Sequence, residues 1–179
     1  MTKKILSHAL VLAVIQLTMF ACSGAGTTGT GTNPLPQPTT ATLRILSTGT
    51  LASGVLTGAV EVTVLLPLGV TVKATPDASN PSVLVTNAGV VVASGVAAGV
   101  NTNALATYTA ATTTASGKVV IRVVDANGFG TGEIGTVKCD IATGSTPKAA
   151  DFSLSDFKAV NLDGAAISGL SAGITVDIR

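Results

Sequence analysis

The chain has 179 residues, of which 46% are hydrophobic, 11% charged and 3% aromatic, and its formal net charge is +1. One histidine, two cysteines, no tryptophan and no cluster of basic residues argue against nucleic-acid binding, histidine-based triads, the common zinc sites and a disulfide-built scaffold. Beyond the first turns of the chain no apolar stretch approaches the ~20 residues a spanning helix needs. Valine and threonine recur instead in short runs broken by glycine, asparagine and proline, which is the composition of strands and turns.

Lys3 and Lys4 give a short positive start, and residues 5–20 are largely apolar but interrupted by Ser7, His8, Gln16 and Thr18. The small residues Ala21, Cys22, Ser23 and Gly24 follow. This is the layout of a cleavable secretory signal over 1–21, with an uncleaved N-terminal anchor as the alternative. The segment Met19-Phe20-Ala21-Cys22 resembles a bacterial lipobox, matching at Ala21 and Cys22, with Met19 and Phe20 bulkier than the usual residues. The resemblance implies lipidation at Cys22. Ser23, standing where a retention aspartate would be, resembles lipoproteins sent on to the outer membrane of a two-membrane bacterium. Ordinary cleavage after Ala21, Ser23 or Ala25 is the other outcome, and it would leave Cys22 as a spare thiol or remove it. With Lys3 and Lys4 gone, eight of the ten Lys/Arg face nine Asp/Glu, a mature charge of about −1.

Residues 22–41 read as a tether. Gly and Thr give flexibility, and Pro34, Pro36 and Pro38 at every second position favour an extended rod. Such a segment would hold a domain a few tens of Å from a membrane, by the ~5–6 Å × √n rule for flexible linkers.

A single domain is expected over 42–179. The first strand candidate is 42–46. Val60, Val62, Val64 and Leu66 then alternate with Glu61, Thr63 and Leu65, a strand with one face inward. Pro67-Leu68-Gly69 turns into a strand at 70–72, and 77–81 is a loop of breakers. Short strands follow at 83–86 and 90–93, around Asn87-Ala88-Gly89, and a longer one at 105–113 contains Tyr108. After the Ser116-Gly117 turn, residues 118–124 place Val119, Ile121 and Val123 on one side. Asp125-Ala126-Asn127-Gly128 reads as another turn, and 133–141 carries Val137, Cys139 and Ile141 inward. Cys139 then reads as a small buried hydrophobe. Phe152 and Leu154 share a face that Phe157 falls out of, which a bulge or a strand that changes sheets would explain. Asp163-Gly164 is a turn, and Ile174, Val176 and Ile178 make a last strand. No helical spacing persists outside the signal segment. Eight or nine short strands with regular turns predict an all-β fold, an antiparallel β-sandwich of jelly-roll or cohesin-like form, with a closed barrel as runner-up.

The stretch from Tyr108 onward resembles the cohesin domain. The shared features are an apolar strand at 118–124, the phrase Gly128-Phe129-Gly130-Thr131-Gly132-Glu133 and an alternating strand at 134–141. A hydrophobic strand follows from Phe152-Ser153-Leu154 to a turn at Asn161-Leu162-Asp163-Gly164. The similarity covers about 42–179. It implies a non-catalytic, nine-stranded sandwich with a protein-binding face, as cohesins have for dockerin modules. It places that face on no named residue, so the binding residues stay unknown. Carbohydrate-binding modules of related sandwich form share much of this layout.

The only histidine, His8, lies in the signal segment, so the mature chain is short of groups that titrate or attack near neutral pH. Its carboxylates, among them Asp77, Asp125, Asp140 and Asp163, sit at turns and strand edges. Glu133 reads either as buried beside Gly132 or as a partner of local backbone amides. The glycines at 128–132 have no following helix to make a phosphate site, and 161–164 lacks the alternating oxygen ligands of a calcium loop. No catalytic residue, metal site or cofactor is expected, and the chain is not read as an enzyme. Three functions remain open: an envelope-tethered module for a dockerin-like or other protein partner, a polysaccharide-binding module, and a structural subunit of an envelope assembly. The second would need exposed rings among Tyr108, Phe129, Phe152 and Phe157. The third would need an unpaired edge strand. If Phe157 is core, Phe157→Ala should cost ~3–5 kcal/mol.

Overall fold

The computed structural model describes residues 37–179. The expected signal, Cys22 and most of the expected tether lie outside the described residues. Among the described residues eleven strands form: β1 (Thr40–Gly49), β2 (Thr57–Leu66), β3 (Val70–Thr71), β4 (Ala74–Pro76), β5 (Leu84–Thr86), β6 (Val91–Ala93), β7 (Thr102–Thr109), β8 (Gly117–Phe129), β9 (Gly132–Ile141), β10 (Ser153–Asn161) and β11 (Leu170–Ile178). Two 3-10 turns, Gly95–Ala97 and Ala149–Asp151, are the helical elements among the described residues. The count exceeds the eight or nine expected because the sheet margins are built from pieces of two or three residues.

All ladders are antiparallel. One sheet runs β11-β1-β9, with β3 and β6 side by side along the far edge of β9; the other runs β10-β2-β8-β7-β5-β4. The architecture is an all-β sandwich. Its first strand begins at Thr40 and not at 42, and Thr39 and Thr40 both donate to the Arg179 carbonyl, at 2.7 and 2.9 Å.

The alternation seen in the sequence is what buries the core. Val62, Ile121 and Ala106 lie opposite one another across β2, β8 and β7, and Val60 and Val64 repeat the pattern two residues away. From the other sheet Ala41, Leu43 and Ile45 of β1 and Val137 and Cys139 of β9 meet them, all close to fully buried. Strand residues two apart share a face, so one period-2 run supplies a continuous apolar layer.

Three of the departures from that period shape the molecule most. The expected turn at 125–128 is instead a bulge inside β8: Ala59 lies opposite Val124, Thr57 opposite Phe129, and the residues between swell out of the ladder. A second slip, between Ile45 and Leu46 against β9, turns Ile134 into the core, where a strict period would have aimed it outward. The third is the irregularity expected near Phe157. The β10–β2 register shifts between Ser155 and Lys158, and Asp156 takes a positive φ of 53°. Phe157 is left half-buried against the core.

Asp125 holds the β8 bulge. One carboxylate oxygen accepts the Thr102 hydroxyl and the other the Asn127 amide at 2.7 Å, while Thr102 Oγ1 accepts the Gly99 amide at 3.2 Å. The Thr102 hydrogen bond first, and then the Asn127 amide, hold the carboxyl below the ordinary aspartate range, against a smaller opposing effect of burial. A depressed folded pKa contributes stability that is present above the ordinary aspartate value and lost as pH falls through the folded value. Asp125→Asn is therefore expected to lower the melting temperature at neutral pH and to flatten its decline on the acid side. Thermal unfolding of both proteins across pH 7 to 2 checks this, and parallel curves would exclude the clip.

Candidate interaction face

The outward side chains of the two sheets differ in chemistry. On the β11-β1-β9 sheet they are Thr42, Arg44 and Thr48 from β1, Thr136 and Lys138 from β9, and Thr175 and Asp177 from β11. Apart from Val92, half-buried Leu46, Ser171 and Gly173, that surface is threonine and charge. Its centre is a closed polar network. Glu133 accepts the Ser94 hydroxyl at 2.7 Å and pairs with Arg44 at 3.0 Å, and these partners, Ser94 first, hold its carboxyl below the usual range.

The outer face of the six-stranded sheet is more apolar and less closed. One cross-strand row runs Leu105–Arg122–Glu61–Lys158 over β7, β8, β2 and β10. The row on one side is Asn103–Val124–Ala59–Val160, and on the other Thr107–Val120–Thr63 with Val85 beyond Thr107. Leu105 is 65% exposed and Val124 47%. At the centre Glu61 takes two cations, Arg122 at 2.5 Å and Lys158 at 3.8 Å. One carboxylate between two exposed cations leaves the row net positive.

Two shallow hollows flank Arg122. One, of about 280 Å³, lies between Ala59, Glu61, Val124, Lys158 and Val160; the other, of about 250 Å³, lies between Val85, Leu105, Thr107 and Val120. A third continues past Ala59 and Val124 to Leu162, which is itself half exposed. The result is an open sheet surface with apolar patches either side of an arginine. That is the pattern in which interface cores concentrate binding energy.

The chain matches no family model, no curated protein and no solved structure. The sequence pattern implied an outward row of Lys118, Val120, Arg122 and Val124 by placing Val119, Ile121 and Val123 inward. It carried no signal that Glu61, 61 residues away, would come opposite Arg122.

Of the other singled-out residues, Asp77 lines the hollow by Leu105 and Asn161 the one by Leu162, while Cys139, Tyr108, Phe129, Phe152 and Asp163 line none of the three. Cys139 is buried on the core side of β9, and burial, aided by Asp140, pushes its thiol up to about 12; such a thiol is unreactive at neutral pH. Tyr108, Phe129 and Phe152 are buried, so among the described residues no pair of exposed coplanar rings is available. Asp77 and Asn161 cap local turns through backbone amides, and Asp163 lies exposed in the second of these. Gly128 and Gly132, with φ of 72° and 143°, frame the tight connection from β8 to β9.

Proposed function

We propose that this chain is a non-catalytic, envelope-tethered protein-interaction module of cohesin-like form, docking a protein partner on the outer face of the β10-β2-β8-β7-β5-β4 sheet. In this reading Cys22 carries the lipid, the Pro-containing segment spaces the domain from the outer membrane, and the module holds another envelope or secreted protein in place. The observation that carries the proposal is the Leu105–Arg122–Glu61–Lys158 row with exposed Val124 beside it. Exposed apolar side chains around an arginine on a stiff sheet suit an interface of standard size, about 800 Å² per partner. The buried rings support a protein partner over a polysaccharide, because sugar faces stack on exposed aromatics.

The test is retention from native envelope and secreted fractions on immobilised full-length chain, quantified by mass spectrometry. Arg122→Glu is expected to reduce the specifically retained protein about tenfold or more, while Lys138→Glu on the opposite sheet leaves it unchanged. Equal loss in both variants, or no specific retention by folded bait, would overturn the reading.

A further inference from the structure

An open sandwich has sheet edges with unpaired backbone groups, and stable monomers blunt them with short strands, prolines, charges or bulges. Three margins of this molecule are blunted. β4 is three residues long and ends at Pro76, and β10 is broken by the positive-φ Asp156 and carries exposed Lys158. The far edge of β9 is divided between β3, of two residues, and β6, of three.

β11 has no break, bulge or proline, and its one charge, Asp177, stands next to its last residue. Its nine residues pair with β1 in one unbroken register, from Leu170 opposite Gly49 to Ile178 opposite Ala41, and they include no proline and no lysine. Among the described residues no backbone hydrogen bond reaches Leu170–Ile178 from any element but β1; the nearby 3-10 turn at Ala149–Asp151 makes none. The core also runs out to this rim. Ala41, Leu43 and Ile45 are at most 1% exposed, yet their β11 neighbours Ile178, Val176 and Ile174 are only half-buried. Seven of the twelve half-buried apolar residues packed on the core lie on β10 and β11, so this side of the sandwich is the one short of cover.

We propose that β11 is a self-pairing edge, at which a second copy of this chain adds its own β11 antiparallel about a two-fold axis through Ile174. That register engages all nine residues. Leu170 meets Ile178, Ala172 meets Val176 and Ile174 meets itself on the core side, while Ser171 meets Asp177 and Gly173 meets Thr175 on the outer side. Apolar faces apolar, polar faces polar, and the one carboxylate, already paired with Arg179 at 2.6 Å, opposes a neutral serine. Self-complementarity of this kind is what an isologous two-fold contact requires, and it closes the edge against further growth. The two five-stranded sheets become one, and the second copy covers the exposed rim. This contact is independent of the face proposed for the protein partner.

Full-length chain carrying Ile174→Cys, and separately Ser171→Cys, is oxidised and the disulfide-linked dimer measured, with the unaltered chain as the control for Cys22 and Cys139. A cysteine on the axis meets its copy within disulfide reach, whereas one at position 171 is about 20 Å from its copy. Linking at least about tenfold greater for I174C than for S171C is expected. Ser171→Asp sets like charges against Asp177 twice per dimer and is expected to lower the dimer fraction roughly three- to tenfold, while Ser171→Lys preserves or raises it. This second pair is compared by sedimentation in mild detergent and decides the matter should I174C not fold. Equal linking at both positions, no linking by folded protein, or indistinguishable behaviour of S171D and S171K would overturn the proposal.

Discussion

Phe129→Ala is expected to lower the unfolding free energy by about 3–5 kcal/mol. The ring is 3% exposed. It is the last residue of β8, where the chain has passed the 125–128 bulge and returned to the ladder opposite Thr57. The core it belongs to is mostly valine, isoleucine, leucine and alanine, short side chains on a fixed backbone that fill the space a ring leaves only in part. Phe157, expected from the sequence to be worth a similar amount if it were core, is half-buried at the β10 bulge. Phe157→Ala should cost roughly half as much, because only part of the ring's area leaves water on folding. Chemical unfolding followed by far-UV circular dichroism gives both numbers. A Phe129→Ala loss near zero would mean that the bulge does not return the ring to the core.

What the sequence made legible follows the range of the forces involved. The runs Val60–Val62–Val64–Leu66 and Val119–Ile121–Val123 announced their strands and inner faces because burial is read residue by residue. So was the slip at Phe157, since one apolar residue out of step has few structural explanations. Residues 125–128 misled because turn-forming side chains also build bulges: Asp125 caps amides in either setting, and the Thr102 hydroxyl that turns it into a clip comes from another strand. β4 passed unnoticed as three residues ending in a proline, held by their ladder to β5 and not by any pattern of their own. The face proposed for a partner was half legible. Which residues point outward follows from the alternation, but the row joining Leu105, Arg122, Glu61 and Lys158 depends on registers among four strands, and registers come from the whole fold. The cohesin resemblance pointed to a sandwich with a binding face and offered no residue for it.

Gly95→Ala is the second large loss, about 2–5 kcal/mol, and its cause is backbone clearance. Gly95 opens the 3-10 turn that lies against β9, with φ of +60°, a conformation costing a non-glycine residue about 1–3 kcal/mol. A Cβ there would stand 2.4 Å from the Glu133 carbonyl oxygen and 2.7 Å from the Glu133 Cβ. Neither is the free end of a flexible side chain, so β9 or the turn must shift, adding an overpacking cost of about 1–3 kcal/mol. Movement here is constrained on both sides: Ser94 donates to the Ile134 carbonyl, and Ala97 is 1% exposed in the core. Ser94→Ala separates this from the neighbouring polar network, because it removes the hydrogen bond to Glu133 without adding bulk and should cost about 1 kcal/mol. Tyr108, the one tyrosine in a chain without tryptophan, is buried in the core and serves as a fluorescence probe of unfolding for both variants. If Ser94→Ala proves as damaging as Gly95→Ala, the Arg44–Glu133–Ser94 network and not the close approach is what fixes this turn to the sheet. The polar face would then be a structural brace, which would strengthen the assignment of binding to the opposite sheet.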